Sequence, residues 1–114
     1  MLSTGYSNDG KSDFEAYKKT LDYFTTTASG VRRQGAAALE LAYVAAGRLD
    51  GYWQFNLKPW DVAAGALIVR EAGGLVGDTK GEDNWLNSGN IIAATPRVFD
   101  PMVRSFKDLR VYEI

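Results

Sequence analysis

Hydrophobic and polar positions divide the chain into short β-type runs and longer helical stripes. Met1 to Tyr6 reads as the end of a strand, and Ser7-Asn8-Asp9-Gly10 is a dense turn signal. Ser12 or Asp13 can cap the next helix. There Phe14, Tyr17, Leu21 and Phe24 recur at helical spacing, while Glu15, Lys18, Lys19 and Asp22 face elsewhere. The spacing predicts an amphipathic helix over 13–24. The run Thr25-Thr26-Thr27 is expected to fray it, because threonine is a modest helix former. Gly30 to Gln34 reads as a short strand. From Gly35 a second helix runs through small and apolar residues to Gly47, its expected stop. Asp50 to Phe55 has the aromatic content of a strand. Pro59 opens a third, mostly apolar helix over about 60–72, ended by Gly73-Gly74. Leu75-Val76 is a brief strand, Asp78 to Ser88 a polar loop, and Asn90 to Ala94 a strand. Thr95-Pro96 starts the last helix, with Val98, Met102, Val103, Phe106 and Leu109 as its apolar stripe.

This alternation predicts one α/β domain over 1–114, with a mixed, mostly parallel sheet flanked by helices. The second and third helices are nearly apolar all round and are therefore expected to be buried. Either they occupy the middle of a layered structure, or something outside this chain covers them.

Composition narrows the chemistry. The chain has 114 residues, 46% hydrophobic and 24% charged, which fits a globular domain and not a disordered one. A net charge of -1 argues against a general electrostatic grip on nucleic acid. The absence of cysteine excludes disulfides and thiol nucleophiles, and the absence of histidine excludes Ser-His-Asp triads and His-ligated metals. Carboxylates, hydroxyls, backbone dipoles and a hard metal remain. No apolar run approaches the ~20 residues that span a bilayer. The first residues lack the features of a signal peptide. A cytoplasmic protein with no membrane contact is the expectation.

Four stretches could carry chemistry. Asp61 lies at a helix start in Lys58-Pro59-Trp60-Asp61-Val62-Ala63-Ala64-Gly65. It can be a first-turn acid favoured by the macrodipole, or a ligand for a hard metal at the mouth of an α/β sheet. Gly35-Ala36-Ala37 can offer free N–H groups to an anion, or serve close packing. The loop Asp78-Thr79-Lys80-Gly81-Glu82-Asp83-Asn84 falls short of an EF-hand and reads as solvated. Arg32-Arg33 can bind an anion or pair with an acid such as Glu71.

Arg33-Gln34-Gly35-Ala36-Ala37-Ala38-Leu39-Glu40-Leu41-Ala42-Tyr43-Val44-Ala45-Ala46-Gly47-Arg48-Leu49-Asp50-Gly51-Tyr52 resembles the segment before the second signature of the inositol monophosphatase family. Trp60-Asp61-Val62-Ala63-Ala64-Gly65-Ala66-Leu67-Ile68-Val69-Arg70-Glu71-Ala72-Gly73-Gly74 resembles that signature itself. The likeness continues through Gly89-Asn90-Ile91-Ile92-Ala93-Ala94-Thr95-Pro96 and reaches back to Ser3-Thr4-Gly5-Tyr6. The Arg-Arg-x-Gly and Lys-Pro-Trp-Asp spellings are closest to the bacterial branch.

The resemblance implies a Mg²⁺-dependent phosphatase of small phosphate monoesters with a layered αβαβα fold, of which this chain is the C-terminal α/β layer. It implies Asp61 as a Mg²⁺ ligand, and Gly35, Ala36, Ala37 and Gln54 as substrate contacts. Two departures stand out. Gln54 occupies a position where the family usually has a glutamate that binds an inositol hydroxyl. Ala36 replaces a frequent hydroxyl residue. The family's first signature, Asp-Pro-x-Asp-Gly-Thr, is absent from these 114 residues, as is the upstream acidic ligand. Two classes of function follow. One is the C-terminal part of a phosphatase, inactive alone, completed by the missing N-terminal half or found self-associated. The other is a non-catalytic protein-binding module reusing the fold.

Overall fold

The computed structural model describes residues 1–5, 14–28, 30–32, 37–55 and 57–109. Ten elements follow in chain order: β1 (Leu2–Thr4), α1 (Phe14–Thr27), β2 (Val31–Arg32), α2 (Ala37–Ala45), β3 (Gly51–Gln54), α3 (Pro59–Glu71), β4 (Leu75–Gly77), α4 (Trp85–Ser88), β5 (Ile91–Ala94) and α5 (Pro96–Asp108). The strands form one sheet in the order β2-β1-β3-β5-β4. β1 runs parallel to β2 and to β3, whereas β5 runs antiparallel to β3 and to β4. The sheet is mixed, as expected. Its parallel share is two pairings of four, because β5 returns against β3.

Strand alternation sends successive side chains to opposite faces and builds two cores. Trp53, Ile92 and Ala94 point to one face with Leu2, under Tyr17 and Phe24 of α1 and Phe99, Met102 and Phe106 of α5. Tyr52, Ile91 and Ala93 point to the other, under Leu41 and Val44 of α2, Val62, Ala66 and Val69 of α3, and Trp85 of α4. The first core is aromatic. Trp53 is fully buried, its ring centroid lies 4.8 Å from that of Phe24, and its indole N–H donates to Thr20 Oγ1 at 2.9 Å. Gly65 sets the spacing of α2 on α3, since a Cβ there would stand 2.7 Å from Leu41 Cδ1.

Three expectations need correction. Helix α1 continues through the threonine run to Thr27. There the Thr26 and Thr27 hydroxyls donate to the Tyr23 carbonyl at 2.9 and 2.8 Å and take up part of the helix end. The polar stretch over 78–88 holds the short helix α4, closed by Gly89 at φ +76°. Helix α3 is also not enclosed. Val62, Gly65, Ala66 and Val69 are buried. Trp60, Ala63, Ala64, Leu67 and Ile68 are exposed, Trp60 at 79% and Leu67 at 59%. Leu39 of α2 and Leu75 are exposed as well. Of the two alternatives for the apolar helices, the bare face fits the second.

The loop after β4 is better ordered than a solvated segment requires. Asp78 is buried, and its Oδ1 accepts the Lys80 and Glu82 N–H groups, each at 2.9 Å. Asp83 pairs with Arg70 and accepts the Trp85 indole N–H at 3.0 Å. The Arg70 hydrogen bond, then the Trp85 bond and the Arg70 charge, hold the Asp83 carboxyl below its ordinary range. Arg70 also lies over the Trp85 ring, so this clasp ties the loop to α3.

Candidate functional site

Parallel strands β1 and β3 end side by side, with Thr4 in register with Trp53. Ligands of open α/β sheets gather at such strand ends. Tyr52 and Gln54, two residues apart on β3, face the α2/α3 side. The Tyr52 hydroxyl, fully buried, donates to Gln54 Oε1 at 2.5 Å. Gln54 is 9% exposed. Gly5, just past β1, abuts the Gln54 amide so closely that a side chain at position 5 would displace it.

Asp61 enters from the first turn of α3. Its Oδ2 accepts the Lys58 N–H at 3.1 Å, and its own N–H donates to the Lys58 carbonyl at 2.9 Å. The carboxylate is thus a genuine helix cap, as the simpler reading of the sequence holds. Capping uses one oxygen, and Oδ1 has no partner among the described residues. Beneath the site, buried Glu40 of α2 accepts the Ser3 hydroxyl.

Burial, then the charges of Glu40 and Asp61, push the Tyr52 phenol well above its ordinary value. Electrostatics therefore couples Tyr52 to Asp61 as well as to Glu40. The unfolded chain ionises this phenol near pH ~10, whereas the folded chain keeps the proton. Stability from Tyr52 is complete below that pH and falls as pH rises beyond it, by up to about 1.4 kcal/mol per pH unit. Urea unfolding between pH 9 and 11 (roughly one unit either side of a free phenol) checks this. The alkaline loss is expected to vanish in Tyr52→Phe.

The structure brings Asp61 and Gln54 to one face of the sheet, joined by Tyr52. Ala37 is the first residue of α2 and is half-buried. Gly35, Ala36 and Arg33 lie outside the described residues, and Glu71 is exposed. Sequence reasoning took Tyr52 only as a strand former. The signal that could have found it is its i, i+2 relation to Gln54, which puts both side chains on one face. A cavity of about 300 Å³ between α1 and α5, lined by Tyr23, Phe24 and Met102, opens on the opposite face and has no part in this site.

A hard cation suits the oxygen donors of Asp61. One carboxylate is too few, and no group of three or more acidic residues comes together among the described residues. The donor is of the right kind, and the set is incomplete.

Comparison with known proteins bears on the family and the fold. The model of the inositol monophosphatase family matches residues 2–109. A putative Nus factor SuhB of Neisseria meningitidis serogroup B is 51% identical over 104 residues, 91% of this chain and 40% of the relative. The Nus factor SuhB of Escherichia coli K12 is 44% identical over 108 residues, 95% of this chain and 40% of the relative. Among solved structures, the extragenic suppressor protein suhB of Bartonella henselae superposes with a TM-score of 0.86 at 43% identity, covering 93% of this chain and 40% of that one. Inositol monophosphatase from Anabaena gives 0.83 at 35% identity, covering 94% and 42%. The chain therefore spans about 40% of the length of the relatives it matches. By sequence and by fold, the chain belongs to the inositol monophosphatase family.

Proposed function

We propose that this chain is the C-terminal part of a Mg²⁺-dependent phosphatase of inositol monophosphate or a similar small phosphate monoester, and that it is inactive alone. The observation that carries this reading is Asp61. It stands in the first turn of α3, electrostatically coupled to Tyr52 of β3, with one oxygen capping the helix and the other unpartnered among the described residues. Bound Mg²⁺ supplies positive charge to phosphoryl oxygens. Asp61 would contribute one ligand, and Gln54 would orient the alcohol part of the ester. Ala37, with Gly35 and Ala36 before it, would offer backbone N–H groups to the phosphate. The remaining ligands come from the polypeptide that corresponds to the other 60% of the relatives' length. We place the protein in the cytoplasm; no described helix is long and apolar enough to cross a membrane.

Phosphate release from inositol monophosphate in excess Mg²⁺ tests the inactivity of the chain alone. The chain alone is expected to give no turnover above background. Turnover that disappears in Asp61→Ala would overturn it.

The bare face of α3 favours a second use, protein binding. The Neisseria and Escherichia relatives are described as Nus factors. Trp60, Leu67 and Ile68 form the kind of exposed apolar surface that marks interaction sites. In both readings this face needs a cover. Without the rest of the protein, copies of the chain are expected to self-associate through it. Sedimentation should show mass rising with concentration, and the double variant Leu67→Glu, Ile68→Lys should stay monomeric. A wild-type chain monomeric at every concentration would contradict this.

A further inference from the structure

The cavity between α1 and α5 lies on the opposite side of the sheet from α3. Its volume is about 300 Å³, the small end for a ligand site. Buried Leu2, Phe24 and Met102 give it an apolar floor. A space of about 150 Å³ between apolar side chains takes a benzene ring, so this one has room for a ring and a short chain.

The polar part of the lining favours a cation. Asp50 carries the one charged side chain among the described residues that line the cavity. The Thr27 hydroxyl donates to the Tyr23 carbonyl at 2.8 Å, and the Ser105 hydroxyl donates to the Pro101 carbonyl at 2.9 Å. A carbonyl has no proton to return, so both hydroxyls meet a ligand as acceptors. An anion would find no cationic side chain in the lining and would face the Asp50 carboxylate.

Asp50 already holds an ammonium. Its Oδ2 accepts the amino terminus of Met1 at 2.6 Å, and both residues line the cavity. The backbone fixes the point from which the carboxylate reaches. The Asp50 N–H donates to the Met1 carbonyl at 2.9 Å, and the Asp50 carbonyl accepts the Thr95 N–H at 3.0 Å. We propose that this cavity binds a small primary amine with a compact apolar body, its ammonium on Asp50 and its body against Met102, in place of the chain's own amino terminus. The terminus is tethered beside the carboxylate and competes at a high effective concentration, so blocking it frees the site.

Met1 and Met102 are the two methionines of the chain, and both line the cavity. NMR of the methyl-¹³C-methionine chain therefore reads its occupancy. The probes are 2-phenylethylamine, 2-phenylethanol and 3-phenylpropionate, added to the Leu67→Glu, Ile68→Lys chain with Met1 free or acetylated. The amine is expected to shift the Met102 methyl signal and to bind the acetylated chain about fivefold tighter than the free one, the upper end for a half-exposed ion pair. On the acetylated chain, Asp50→Asn should weaken the amine about fivefold and leave the alcohol unchanged, which a merely structural change would not do. The carboxylate probe should bind weakest. Ser105→Trp, checked for an unchanged circular dichroism spectrum, should fill the cavity and abolish binding of all three. A carboxylate that binds as tightly as the amine, an amine indifferent to acetylation and to Asp50→Asn, or a Met102 signal that no probe moves would each overturn the proposal. Methionine signals that shift with chain concentration before any probe is added would put a side chain of a second copy in the cavity, and would overturn it as well.

Discussion

Trp53→Ala is expected to leave the chain largely unfolded at room temperature. Trp53 is fully buried in the middle strand of the sheet, against Phe24, with its indole N–H on Thr20. Removing the ring opens a cavity between α1 and the sheet and leaves the buried Thr20 hydroxyl without its donor. Large aromatic truncations in cores cost about 3–5 kcal/mol. A small domain has only about 5–15 kcal/mol in all, and this one carries an uncovered apolar face. Urea denaturation followed by far-UV circular dichroism reads the loss. A destabilisation under about 1 kcal/mol would mean that α1 does not pack on the sheet as described.

Asp61→Asn is expected to separate capping from chemistry. Asparagine keeps an oxygen for the Lys58 N–H and loses only the favourable charge–dipole interaction at the helix start, so stability should fall by less than about 1 kcal/mol. It removes the negative charge that a divalent cation requires. In a protein completed by the missing part, phosphate release should fall at least about 100-fold, corresponding to roughly 2.7 kcal/mol of transition-state stabilisation. Stability and rate measured on the same preparation decide the matter. Full activity in Asp61→Asn would reduce Asp61 to a cap.

Much of the fold was legible because period carries burial. The stripe Met102, Val103 and Phe106 named the buried side of α5, and the Pro59 start and Gly47 stop placed helix ends within a residue or two. What escaped the reading depended on contacts that no window of sequence contains. The threonine hydroxyls that finish α1 act on carbonyls three and four residues back, which propensity counts as a weakness. Helix α4 has only four residues, packs through Trp85 and is held by Asp83 and Arg70, partners from outside it. The antiparallel return of β5 is a matter of topology, which strand propensity does not encode.

The candidate site divides in the same way. Asp61 was visible from its place in the Lys-Pro-Trp-Asp segment. The sequence leaves its capping and metal-binding uses open; the geometry gives one oxygen to the cap and leaves the other without a partner among the described residues. Gln54 was visible as a departure from a family pattern. Its partner Tyr52 was not, because the aromatic content of β3 already accounted for it as a strand residue. The apolar character of α3 predicts a cover, and Trp60, Leu67 and Ile68 are the exposed side chains it would meet on the proposed reading.

Complementation tests the central claim most directly. The chain is mixed with a separately folded polypeptide that matches the rest of a relative's length and carries the Asp-Pro-x-Asp-Gly-Thr signature, and phosphate release from inositol monophosphate is followed as Mg²⁺ is added. The account predicts no turnover from either piece and Mg²⁺-dependent turnover from the pair, lost when Leu67→Glu, Ile68→Lys disrupts the face between them. Silence from the pair, with both pieces folded and bound to each other, would contradict it.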